Sequence, residues 1–106
     1  MTIRKAKVFV NNSEAGTLTE VNFPKLYRFE YLPDYSDSPV SLTMSDKNKI
    51  YEFDTFPSFF DGLLPEGFQL DGLLKFGKID HNDKFSQLIA VGTDMVGNVT
   101  IKEIHL

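Results

Sequence analysis

Cysteine is absent from the 106-residue chain, so neither a disulfide framework nor thiolate chemistry is open to it. Clustered basic residues are absent too. Eleven Lys and Arg are scattered among fifteen Asp and Glu, for a net charge of -4. Nucleic-acid binding needs phosphate neutralisation, so a direct role on DNA or RNA is disfavoured, as is an anionic membrane surface. No apolar run is long enough to cross a bilayer, and Met1-Thr2-Ile3-Arg4-Lys5 leads into an alternating segment without the apolar core of a signal peptide. A cytoplasmic protein is expected. The seven glycines form neither GxGxxG nor GxxxxGK[ST], so no phosphate-cradling loop is predicted. His81 and His105 have no metal-ligand partner at useful spacing. Asp80, Asn82 and Asp83 lack the central Gly and terminal Glu of a calcium loop and suit helix capping better. Asp61 and Glu66 read as helix-end charges rather than an acid/base pair. The expectation is a non-enzyme with no catalytic residue, metal or cofactor.

What the chain does have is aromatic surface: ten Phe and four Tyr, in an ordinary apolar content of 42%. Aromatics fill cores, but they also anchor interfaces. In the first half the hydrophobic period is two. Residues 3–10 and 15–21 read as a hairpin joined at Asn11-Asn12, since Asn tolerates positive φ. Residues 25–32 place Tyr27, Phe29 and Tyr31 on one face, with Arg28 and Glu30 on the other. After the loop at residues 33–39, Val40, Leu42 and Met44 alternate again, predicting a strand over 40–44. Ile50 to Phe53 is a further short apolar piece, and residues 96–104 read as the last strand. Gly92-Thr93-Asp94 and Gly97-Asn98 read as turns.

The second half is helical. A short helix is predicted over 57–63. Another would begin at Pro65, carry Glu66 in its first turn, run to Phe76 and stop at a left-handed Gly77. A third spans 83–91, capped by Asn82 and Gly92, with Phe85, Leu88 and Ile89 as its buried stripe. The expected fold is one α+β domain over residues 1–106: a small, strongly curved, barrel-like antiparallel sheet of about five strands with two to three short helices. At about 100° per residue, Leu70, Leu73 and Leu74 share one face of the Pro65 helix, with Phe68 nearly opposite. Phe68 either projects outward or packs under a loop or against Phe59 or Phe60. Phe59-Phe60 and Leu63-Leu64 are consecutive pairs, so one member of each should enter the core and the other remain available to a partner.

Residues 57–74, PSFFDGLLPEGFQLDGLL, resemble the N-terminal domain of HipA-like serine/threonine kinases, where a phenylalanine pair, a spacer and LLPEG precede a helix. Lys7 to Asn11 with Gly16-Thr17-Leu18 resembles that domain's opening hairpin. Tyr27 to Tyr31 and Pro39 to Met44 resemble its third and fourth strands, and Phe85 to Val99 its closing helix and strand. The resemblance covers nearly the whole chain. The sequence stops where the catalytic portion of those kinases would begin, and it carries no kinase motif. A lone domain of this kind is similar to HipS-like antitoxins of tripartite HipBST toxin–antitoxin modules. That implies a HipT-like Ser/Thr kinase toxin as partner, with a HipB-like DNA-binding protein as third member. The partner-binding residues implied are Phe59, Phe60, Leu63, Leu64, Pro65, Glu66, Gly67 and Phe68. Phe68 stands where the family often has Trp, a smaller shape without the indole N–H donor. The alternative is a structural subunit that completes a split HipA-like kinase without inhibiting it.

Overall fold

Period-two alternation builds the sheet seen in a computed structural model, which describes residues 3–23, 25–92 and 98–104. Five strands, Arg4–Val10 (β1), Ser13–Asn22 (β2), Lys25–Tyr31 (β3), Ile50–Phe53 (β4) and Val99–Ile104 (β5), lie in the order β4-β3-β2-β1-β5. Every neighbouring pair is antiparallel. The β1–β2 turn uses Asn11 and Asn12 at φ of 50° and 68°, the left-handed region expected of them. Among the described residues β4 and β5 do not pair, so the sheet stays open at both edges and does not close into a barrel.

The inner face carries Ala6, Val8, Val10, Leu18, Tyr27, Phe29, Tyr31, Val99 and Ile101, all buried. Three helices, Ser58–Asp61 (α1), Gly67–Gly77 (α2) and Lys84–Val91 (α3), follow β4. Phe60 from α1 and Phe85 and Leu88 from α3 close the core over the sheet. Ile89 of the predicted stripe is only partly buried, whereas Gln87 is buried and donates from Nε2 to the carbonyls of Asp80 and His81.

One inward position breaks the apolar pattern. Glu20 is fully buried on β2. Its Oε1 accepts from Arg4 Nε at 2.7 Å and its Oε2 from the Tyr27 hydroxyl at 3.0 Å. Arg4 also donates to Asp83 Oδ1 at 2.8 Å and to the Ser86 hydroxyl at 2.7 Å, so one guanidinium ties β1 and β2 to the start of α3. Its Cζ lies 4.9 Å from the centroid of the buried Phe85 ring. Burial works against the Arg4 charge, but the two carboxylates outweigh it and raise the pKa above its ordinary value. Burial first, then the Glu20 charge, raises the Tyr27 phenol.

Local corrections to the predicted elements have local causes. Residues 40–44 are not a strand. Leu42–Met44 is a single 3-10 turn, with Ser41 Oγ accepting from the Thr43 amide at 3.2 Å. The Tyr31 hydroxyl accepts from the Val40 amide at 2.9 Å and donates to the Met44 carbonyl. Val40 and Met44 therefore turn inward, while Leu42 is 91% exposed. Helix α2 begins at Gly67, not Pro65, with Glu66 as its extended N-cap. Its left-handed terminal residue is Lys78, not Gly77. Gly77 leaves room for Ile79, since an added Cβ would lie 3.0 Å from Ile79 Cδ1. Asp83 rather than Asn82 caps α3, accepting from the Ser86 amide at 3.1 Å. Gly92 ends α3 in a right-handed conformation, and an added Cβ would sit 2.3 Å from the Ile101 carbonyl. Gly16 is comparably crowded by the Glu30 carbonyl. The turns expected over residues 93–97 lie outside the described residues, as does His105.

Arg4→Ala strands a buried carboxylate and is expected to destabilise the domain by about 3 kcal/mol. Urea denaturation beside Lys7→Ala checks this; equal midpoints for the two variants would rule out Arg4 as the tie. Burial alone would raise the Asp83 carboxyl, but the Arg4 guanidinium and the Ser86 hydroxyl and amide hold it below the ordinary carboxylate range. Because the folded value is the lower one, the stability Asp83 contributes is complete above its unfolded pKa of about 3.9 and is lost as pH falls through the folded value. Urea midpoints between about pH 6 and pH 2.5 should therefore fall less steeply for Asp83→Asn than for the parent chain.

Candidate functional site

Residues 57–68 leave β4 and cross to the start of α2. Pro57 is buried and extended, with φ -59° and ψ 133°, and opens the four-residue α1. Successive helical side chains diverge by about 100°, so Phe59 and Phe60 cannot share a direction. Phe60 enters the core, 5.9 Å between centroids from Phe29, and Phe59 meets it edge-on at 5.2 Å. Phe59 remains half-buried. Phe60 is fully buried and has no surface to offer a partner in this conformation, so it leaves the predicted contact set.

After α1 the backbone tightens rather than extends. The amides of Leu63 and Leu64 donate to the carbonyls of Phe60 and Asp61, each at 3.1 Å. Both leucines are half-buried against the core. Asp61 accepts from Lys84 Nζ at 3.0 Å, pinning α1 to the first turn of α3. An open groove beside this tie is lined by Phe23, Tyr27, Phe56, Ser58, Asp61 and Lys84. No group of acidic, His or Cys side chains suited to a metal occurs among the described residues.

Pro65 is half-buried, and residues 66–69 are exposed. Gly67 has φ of 58°, and an added Cβ there would meet nothing within 4 Å. Glycine is therefore required by the backbone twist and not by crowding. The twist delivers Phe68 to solvent, 95% exposed. It packs on neither Phe59 nor Phe60. The structure thus separates the predicted residues into a support and a tip. Phe59, Leu63 and Leu64 brace the segment, while Glu66, Gly67 and Phe68 project from it.

Helix α2 buries no residue fully. Leu70, Leu73 and Leu74 are half-buried on its inner side. Sequence reasoning missed Phe76, which is 84% exposed. The signal was present: the helical geometry that turns Phe68 outward puts Phe76 on the same side, two turns further on.

With this geometry in hand, known proteins add the following. The family described as HipA N-terminal domain matches residues 6–102. A Haemophilus influenzae protein whose name assigns it no function is 33% identical over 101 residues, covering 95% of this chain and 93% of that protein. A solved structure described as the N-terminal domain of HipA toxin has a TM-score of 0.76 at 29% identity, covering 99% of this chain and 96% of that one.

The division into support and tip has a stability signature. Phe60→Ala is expected to cost about 3–5 kcal/mol, as for a buried phenylalanine. Phe68→Ala should stay within roughly 0.5 kcal/mol of the parent chain. Gly67→Ala should cost about 1–2 kcal/mol from left-handed backbone alone. Urea denaturation of the three variants tests the assignment, and a large loss for Phe68→Ala would contradict it.

Proposed function

The chain belongs to the HipA N-terminal domain family, which makes it a HipA-associated module; from that premise we propose that it is a non-catalytic antitoxin that binds and restrains a HipT-like Ser/Thr kinase in the cytoplasm. The observation that carries this reading is Phe68, an aromatic ring held 95% in solvent. Free exposure of so large an apolar side chain is a cost that an interface recovers. Its mounting favours insertion into a cleft. The ring stands at the start of a helix, beyond a left-handed Gly67, on a segment anchored below by the buried Phe60. A tip held that firmly loses little conformational freedom on docking. Insertion near the kinase active cleft would block substrate access without any chemistry from this chain. A HipB-like DNA-binding protein as third member supplies the contact with DNA that an acidic chain does not favour.

The test is phosphorylation by the HipT-like kinase with and without this chain. Inhibition is expected. Phe68→Ala should raise the half-inhibitory concentration at least about 30-fold, the loss of a buried aromatic anchor of about 2 kcal/mol. Phe68→Trp should retain inhibition, since the exposed site has room for a larger ring. Unchanged inhibition by folded Phe68→Ala would remove the anchor assignment. A kinase inert alone and activated on adding the chain would instead make the chain a completing subunit of a split kinase.

A further inference from the structure

The outward side of α2 carries more than one exposed aromatic, and its pattern is symmetric. Phe68, Gly72 and Phe76 follow one another at four-residue spacing, which on a helix forms a single stripe. Phe68 is 95% and Phe76 84% exposed. An added Cβ at Gly72 would meet nothing within 4 Å, so the stripe has an open notch at its centre. Read in either direction from Gly72, the stripe is the same: notch, then phenylalanine, with about 12 Å of helix axis between the rings. The charges reverse where the apolar residues repeat. Glu66, the N-cap, and Lys78, the C-cap, are equidistant from Gly72 and opposite in sign. Asp71 and Lys75 lie along one flank of the stripe, and none of the ion pairs among the described residues involves either.

We propose that this face binds a second copy of the same chain, as an antiparallel, two-fold helix pair crossing at Gly72. A two-fold interface requires a self-complementary patch, in which residue i meets j and j meets i. Antiparallel pairing about Gly72 sets Phe68 of each chain beside Phe76 of the other. It sets Glu66 toward the other copy's Lys78, while Asp71 falls opposite the other copy's Leu73 and Lys75 opposite its Gln69. The notch lets the two backbones approach, and the opposed helix dipoles favour the arrangement. A parallel pairing would set Asp71 beside Asp71 and Lys75 beside Lys75. Four phenylalanines remove roughly 600–1,000 Å² from water. That is below the ~1,600 Å² of a standard interface, so the pair is weak and reversible. A consequence that rests on the antitoxin reading is that the pair conceals Phe68, so self-association and kinase binding exclude one another.

Sedimentation velocity of the intact chain alone, from about 5 µM to 1 mM, tests the pairing without any kinase; the range follows from the small area. The weight-average sedimentation coefficient should rise with concentration toward that of a dimer. Phe76→Asp should weaken association at least about tenfold, and so should Gly72→Leu, which fills the notch. Lys78→Glu should weaken it about three- to tenfold, and adding Glu66→Lys to it should restore it, because the reversed charges meet again across the two-fold. Circular dichroism confirms that each variant is folded. A parent chain that stays monomeric to 1 mM overturns the proposal. So does a folded Phe76→Asp that associates as well as the parent, or a double charge reversal no better than the single one.

Discussion

A buried carboxylate organises this fold. Glu20 occupies an inward position on β2 in an otherwise apolar face, and it is tolerable there because its two cross-strand neighbours, Arg4 and Tyr27, satisfy it. Having committed one edge of its guanidinium to Glu20, Arg4 presents the other to Asp83 and Ser86. The first described turn of α3 is thereby fixed over the sheet. The residue after Asp83 is Lys84, whose ammonium holds Asp61 of α1 at 3.0 Å. Glu20 and Arg4 thus set the start of α3, while α1 is held on the sheet chiefly by the buried Phe60 against Phe29, with the exposed Lys84–Asp61 pair as a minor addition. The groups are polar, but their effect on the site is mechanical: they set the platform from which an apolar tip projects.

The sheet was legible because alternation is a property of consecutive residues. Tyr27, Phe29 and Tyr31 point inward as their spacing requires, and Asn11-Asn12 make the turn their φ tolerance predicts. The failure at residues 40–44 shows what alternation omits. Val40, Leu42 and Met44 have the period of a strand, yet the Tyr31 hydroxyl, accepting from the Val40 amide and donating to the Met44 carbonyl, gathers both ends of that piece into a turn. A partner nine to thirteen residues away cannot be read from the local pattern. Helix ends erred for a related reason. Gly77 carries the composition of a left-handed cap, but Ile79 folding back takes that space and passes the left-handed turn to Lys78. The pairing of Arg4 with Glu20 and Asp83 was invisible for the same reason, since it spans most of the chain.

The candidate site was half legible. The segment and its anchor could be placed because LLPEG is distinctive and because helical geometry separates Phe68 from the leucines. That one phenylalanine of the pair goes inward was also foreseeable; that it is Phe60 depended on where Phe29 lies. Among the eight predicted contact residues, Gly67 has a role the sequence did not disclose. Its left-handed backbone changes the direction of the chain between the buried leucines and the exposed ring. Without that turn, a helix continued from Pro65 would present a different face to solvent.

The packing of helix α2 is compatible with both proposed uses of its outer face. None of its residues is fully buried, so its inner leucines hold it to the domain without consuming its outer face. That outer face is apolar at Phe68 and Phe76 and empty at Gly72, an arrangement that packing within a monomer neither needs nor favours. Phe at 68, where the resemblance implies Trp, would fit both proposed uses. An indole N–H rewards a partner with an acceptor in one place, whereas a phenyl ring demands only shape and dryness. On the two readings proposed above, a ring with no polar requirement would suit either a kinase cleft or Phe76 of a second copy, and the relative concentrations of the two would then decide which surface covers it.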